Sequence, residues 1–123
     1  MNHYKVMLVD DDSTTVKLLK ALLEYEGFEV AILESDESLS SIQECIQEKK
    51  PEILYLDVHL RNVSGFDLLH NLRADPTTKY IRVLMSSGMD LHERCIREGA
   101  DHFILKPYMP EDLINSIKQT IEE

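Results

Sequence analysis

Pro51-Glu52-Ile53-Leu54-Tyr55-Leu56-Asp57-Val58 is a nearly continuous apolar run that delivers a carboxylate at its far end. Such a run between polar flanks reads as a strand buried on both faces, the pattern of a parallel sheet covered by helices. In those sheets ligands bind outside the carboxyl ends of the strands, which is where Asp57 falls. Alone, an aspartate at a strand end is as often a cap or turn residue, so the rest of the chain decides.

Toward the amino terminus, Val6-Met7-Leu8-Val9 is broken abruptly by Asp10-Asp11-Asp12 and followed by Ser13-Thr14-Thr15. Val16, Leu19, Leu22 and Leu23 then make a helical stripe, with Gly27 as its stop. Residues 28–33 read as a second strand. Leu39, Ile42, Cys45 and Ile46 mark a second helix closing at Lys49-Lys50-Pro51, where cations suit the negative end of the helix.

On the other side, Ser64-Gly65-Phe66-Asp67 has the form of a capping box. Phe66, Leu68, Leu69 and Leu72 carry a third helix to Asp75-Pro76. Residues 81–85 read as a strand with Ser86-Ser87-Gly88 at its carboxyl end. Leu91, Cys95 and Ile96 suggest a short fourth helix ending before Gly99, and residues 102–105 form a last strand that ends at Lys106-Pro107. Pro110 opens a final helix through Leu113, Ile114, Ile117 and Ile121.

Five strands alternating with five helices predict one α/β domain over residues 1–123, a doubly wound five-stranded parallel sheet with right-handed crossovers. All strand carboxyl ends then share one edge. That edge gathers Asp10, Asp11, Asp57, Ser87 and Lys106, which are scattered in the sequence.

Composition narrows the function. With 123 residues and 43% hydrophobic content, one domain can bury about two thirds of its unfolded surface. No apolar run is long enough to span a bilayer. The start Met1-Asn2-His3-Tyr4-Lys5 enters a strand-like segment without a signal peptide's apolar stretch, so a cytoplasmic protein is expected. A net charge of −10 argues against direct nucleic-acid or membrane binding through a basic face, and points to proteins or cations as partners. Cys45 and Cys95 have no metal or redox spacing and read as small buried residues. His3, His70, His92 and His102 have no ligand spacing either.

Three carboxylates about 6 Å apart would repel by roughly 3 kcal/mol per pair at an effective dielectric of 20, so a cation is expected among them. Few hard oxygen ligands suit Mg²⁺, which keeps several waters and takes one or two carboxylates together with phosphate oxygens. A metal beside an aspartate points to phosphoryl chemistry, with Asp57 able to form an aspartyl phosphate. Lys106 offers a point charge to a phosphoryl oxygen and the Ser87 hydroxyl a hydrogen bond. Asp12, beside Ser13 and a helix start, reads as a cap and not as a ligand.

Val9-Asp10-Asp11 with Asp12-Ser13, Leu54-Tyr55-Leu56-Asp57, Gly65 eight residues on, residues 83–88 and Lys106-Pro107 together resemble the response-regulator receiver domain of two-component signalling. The resemblance implies a flavodoxin-like fold with strand order 2-1-3-4-5 and Mg²⁺-dependent phosphoryl transfer from a sensor histidine kinase or histidine phosphotransfer protein. It implies Asp57 as phosphoacceptor, Asp11 as a direct Mg²⁺ ligand, Asp10 as a ligand through water, and the backbone carbonyl of His59 as a further ligand. By the same resemblance Ser87 and Phe103 are switch residues, the Lys106–Pro107 bond is cis, and a downstream protein target reads the face of the fourth helix, fifth strand and fifth helix. Three positions depart from the family pattern. Arg61 stands where proline is frequent and Gly88 where alanine is common, and the segment from Ser87 to Lys106 is about one helical turn short.

Two other functions fit parts of the pattern. An Mg²⁺-dependent phosphohydrolase with an aspartate nucleophile would need a second aspartate two residues on, where this chain has His59. A receiver-like module that binds its partner without phosphorylation remains a further alternative.

Overall fold

The computed structural model describes residues 4–33 and 38–122; Met1, Asn2 and His3 lie outside them. In chain order the elements are β1 (Lys5–Val9), α1 (Ser13–Tyr25), β2 (Glu29–Ile32), α2 (Leu39–Lys49), β3 (Ile53–Asp57), α3 (Gly65–Ala74), β4 (Arg82–Ser87), α4 (His92–Glu98), β5 (His102–Leu105) and α5 (Pro110–Glu122). The strands pair in parallel in the order β2-β1-β3-β4-β5, the expected flavodoxin-like topology.

β3 sits at the centre of the sheet and all five of its residues are buried, which explains its unbroken apolar run. Alternate residues feed two separate cores. Val6, Leu8, Ile53, Tyr55 and Leu84 face Leu19 and Leu23 of α1 and Leu113 and Ile117 of α5. Met7, Leu54, Leu56, Val83 and Met85 face Ile42 and Ile46 of α2, Leu68, Leu69 and Leu72 of α3, and Cys95 of α4. Burial raises the Cys95 thiol to about 11, so it packs as an uncharged group.

Helix ends follow local chemistry. The Asp12 carboxylate accepts the N–H groups of Thr14 and Thr15 and caps α1, and Gly27 at φ 97° carries the chain out of α1 in a backbone conformation that disfavours a side chain. At α3, Ser64 Oγ accepts the Phe66 N–H at 3.2 Å, one residue short of Asp67, the partner a capping box uses.

β2 and β4 depart furthest from the sequence reading. β2, at the sheet edge, shortens to Glu29–Ile32. β4 extends through Ser86 and Ser87, because Ser86 pairs with Asp57 on one side while Ser86 and Ser87 pair with Ile104 and Leu105 on the other. α4 is the short helix that the sequence predicts, with seven residues.

Candidate functional site

The parallel sheet brings the ends of β1, β3 and β5 to one edge, and Lys106 joins the first two. Its ammonium lies 2.8 Å from Asp10 Oδ2 and 3.1 Å from Asp57 Oδ2. The two carboxylates are nearly enclosed, with side chains 2% and 12% exposed. Burial works to lower the Lys106 pKa, but the hydrogen bonds it donates to Asp10 and then Asp57 outweigh it and the net shift is upward. The ammonium therefore holds its proton and binds both anions.

The other predicted residues surround this trio. Asp57 Oδ1 accepts the His59 N–H at 3.0 Å, and Asp10 Oδ1 accepts the Asp12 N–H at 2.9 Å. Asp11 is exposed, and its Oδ2 accepts the backbone N–H of Arg61, tying the β1–α1 loop to the β3–α3 loop. His59 is exposed and pairs with Ser64 in an isolated antiparallel bridge. Ser87 is buried at the end of β4. Its carbonyl accepts the Lys106 N–H at 2.8 Å, while its Oγ accepts the Met89 N–H at 3.0 Å. The Lys106–Pro107 bond is cis. Phe103 lies farther down β5, half-buried, with its ring stacked on His92 at 5.9 Å and 15°.

Gly65 opens α3 directly against the site. A Cβ there would lie 2.5 Å from the Asp57 carbonyl oxygen, so a side chain has no room. This close approach accounts for a glycine eight residues after the aspartate.

Two contacts had no sequence signal. Tyr55, fully buried in β3, meets Tyr108 hydroxyl to hydroxyl at 2.6 Å across 53 residues. Arg73 of α3 donates to the carbonyls of Gly99, Lys79 and Ile81 and pairs with Asp101 at 3.0 Å, fastening α3 to both connections beside it. Each depends on residues distant in the sequence that only the fold brings near.

Among the described residues no three His, Cys, Asp or Glu side chains stand arranged as a ready metal cluster. The donor chemistry nevertheless fits Mg²⁺. Asp10 and Asp57 present enclosed hard oxygens to a single lysine charge, and Mg²⁺ asks for only one or two carboxylates with water completing its shell.

A family model described as the response regulator receiver domain matches residues 6–118. The chain belongs to that family: it is a receiver domain of two-component signalling, a class of signalling switches. It is 34% identical over 118 residues to the phosphate regulon transcriptional regulatory protein PhoB of Rhizobium meliloti, covering 93% of this chain and 50% of that protein. The chain is also 26% identical over 115 residues to the DNA-binding response regulator MtrA of Mycobacterium tuberculosis. It spans about half the length of these curated relatives. Among solved structures, a putative response regulator from Chloroflexus aurantiacus superposes with a TM-score of 0.86 at 26% identity, covering 99% of this chain and 100% of that one. A receiver domain of a sensor histidine kinase from Pseudomonas aeruginosa, solved with a magnesium ion coordinated in its active-site cleft, shares the fold with a TM-score of 0.83 at 15% identity, covering 99% and 100% of the two chains. No helix among the described residues is long and apolar enough to cross a membrane.

Proposed function

We propose that residues 1–123 form one receiver unit that accepts a phosphoryl group on Asp57 and changes its protein contacts in response. The observation that carries this reading is the Lys106 ammonium held between the enclosed carboxylates of Asp10 and Asp57. An Asp57 oxygen attacks phosphorus, the phosphorus–nitrogen bond of a donor phosphohistidine breaks, and the imidazole leaves. Lys106 donates to one phosphoryl oxygen and the Ser87 hydroxyl to another, since Ser87 Oγ only accepts from the Met89 N–H and its own proton is left to donate. Asp11, Asp10, Asp57 and the His59 carbonyl would hold Mg²⁺. When bound, the ion supplies positive charge that offsets both the phosphoryl oxygens and the attacking carboxylate. A protein of the same fold from Pseudomonas aeruginosa holds a magnesium ion in its active-site cleft, which is in keeping with a metal here and says nothing of the ligands in this chain.

The donor is a sensor histidine kinase or a histidine phosphotransfer protein, and the output is contact with a downstream protein. Ile96 of α4, Leu105 of β5 and Met109 before α5 are 41%, 46% and 63% exposed, which offers that target apolar contacts on α4, β5 and the approach to α5. Two relatives are named as a transcriptional regulator and a DNA-binding regulator. The strongly acidic receiver unit itself is assigned no nucleic-acid contact.

Incubation with Mg²⁺ and acetyl phosphate should add one phosphoryl group by intact mass, and Asp57→Asn should abolish it. Labelling that survives Asp57→Asn would reject Asp57 as acceptor.

A further inference from the structure

Beneath the acidic edge lies a second polar cluster that the phosphoryl chemistry leaves unexplained. Tyr55 stands two residues before Asp57 in β3 and points into the core between the sheet and α5, fully buried. A wholly apolar side chain would fill that place without needing a hydrogen-bond partner. The Tyr55 hydroxyl instead meets the Tyr108 hydroxyl at 2.6 Å, with the rings edge-on at 80° and 6.4 Å between centroids. A phenol has an ordinary pKa of about 10, so both hydroxyls keep their protons at neutral pH. Two protonated hydroxyls in contact need a third acceptor. Ser86 Oγ lies beside Tyr55, fully buried and without a hydrogen bond of normal geometry. One tyrosine hydroxyl donates to the other, and Ser86, which pairs with Asp57 across β3 and β4, is the neighbouring buried polar residue.

Tyr108 belongs to the turn between β5 and α5, two residues after Lys106. Before it, the Lys106 N–H bonds the Ser87 carbonyl; after it, the Asp112 and Leu113 N–H groups bond the Met109 carbonyl and start α5. Pro107 between them has no N–H to give. The turn borders an open hollow of about 620 Å³ lined by Leu18, Leu19, Lys106, Pro107, Tyr108 and Pro110, while Tyr108 also packs against the core beneath α5.

We propose that Tyr55 is a positioning residue: its hydroxyl, fixed in the central strand, anchors Tyr108 and so holds the turn that aims the Lys106 ammonium at Asp57. This role rests on the reading of Asp57 as phosphoacceptor. Displacing a charged group by a fraction of an ångström from a forming bond slows a reaction on the order of tenfold or more.

The test measures phosphorylation rates with acetyl phosphate and Mg²⁺. Tyr55→Phe and Tyr108→Phe should each slow labelling about tenfold, and the double variant should be no slower than either single. In a Lys106→Ala background, Tyr55→Phe should add no further slowing, because the group it positions is gone. Mg²⁺ affinity of Tyr55→Phe should stay within about twofold of the parent, since the tyrosine supplies no ligand. If Tyr55→Phe fails to fold, Tyr108→Phe, changed at a half-exposed ring, carries the test. Parent-like rates in Tyr108→Phe, or full slowing by Tyr55→Phe on top of Lys106→Ala, would overturn the positioning role alone. An unlabelled parent would overturn the acceptor reading and take this role with it.

Discussion

Gly65→Ala is expected to damage stability and site together, and the structure sets its size. The new Cβ would stand 2.5 Å from the Asp57 carbonyl oxygen and 2.9 Å from both the Cα and the carbonyl oxygen of Val58. All three are backbone atoms in or directly after the buried central strand, so no side-chain rotation relieves the clash. Overpacking of a filled interior costs about 1–3 kcal/mol, and an all-backbone clash belongs at the upper end. Moving the helix start also stretches the 2.8 Å bond from the Gly65 N–H to the Val58 carbonyl, worth about 1 kcal/mol. The helix preference of alanine over glycine, about 1 kcal/mol in a helix interior, offsets part of this at most, because residue 65 is the first of α3. The net loss is about 2–4 kcal/mol. In urea, with a slope of about 1.5 kcal/mol per M, the unfolding midpoint should fall by about 2 M. A fall of less than about 0.3 M would refute the reasoning, because it would mean that the β3–α3 loop moves aside freely.

Lys106→Met should leave the enclosed Asp10 and Asp57 carboxylates without their shared cation. The loss should be about 2 kcal/mol, below the usual 3–5 for a fully buried pair because the lysine is 28% exposed. Millimolar Mg²⁺ should restore most of it in a thermal melt, and equal melting with and without the ion would count against the metal site. The folded pKa of Lys106 is raised above 10.5, so its contribution is complete below that pH and is lost as pH climbs through the higher folded value. Asp12 is shifted the other way, first by the Thr15 hydroxyl, so its contribution holds above 3.8 and fades as pH falls through the lower folded value. A urea midpoint measured against pH should therefore drop at both ends, and the acid drop should shrink in Asp12→Asn. Ser64→Ala removes the α3 cap and should cost about 1 kcal/mol by urea unfolding; an unchanged midpoint would show that the bond to the Phe66 N–H adds nothing.

The sequence carried the architecture where burial leaves a periodic trace. β3 reads as an unbroken apolar run because both of its faces are covered, and a parallel sheet then forces Asp10, Asp57 and Lys106 to one edge. Features that depend on a single distant partner left no trace. Tyr55 is an ordinary strand residue until Tyr108 is beside it, and Arg73 looks like a helix-end cation until the carbonyls of Gly99 and Ile81 come within reach. Thr78 and Thr120 are polar in the sequence yet buried, because each hydroxyl donates to a nearby carbonyl, that of Leu72 or Ser116. The Asp11 carboxylate also bonds the Arg61 N–H, a contact set by loop shape that spacing cannot show.

The strands all run one way, so the molecule has two unlike rims. Lys50, Pro51, Thr77 and Tyr80 border a hollow at the rim where strands begin, while the carboxylates and Lys106 occupy the rim where strands end. At the starting rim the Tyr80 side chain is 80% exposed, although the backbone on either side of it is held by Arg73 through the Lys79 and Ile81 carbonyls. A dye, an affinity tag or a surface tether attached at the outward-facing Tyr80 would therefore give an experimenter a handle on the protein while leaving its working end clear.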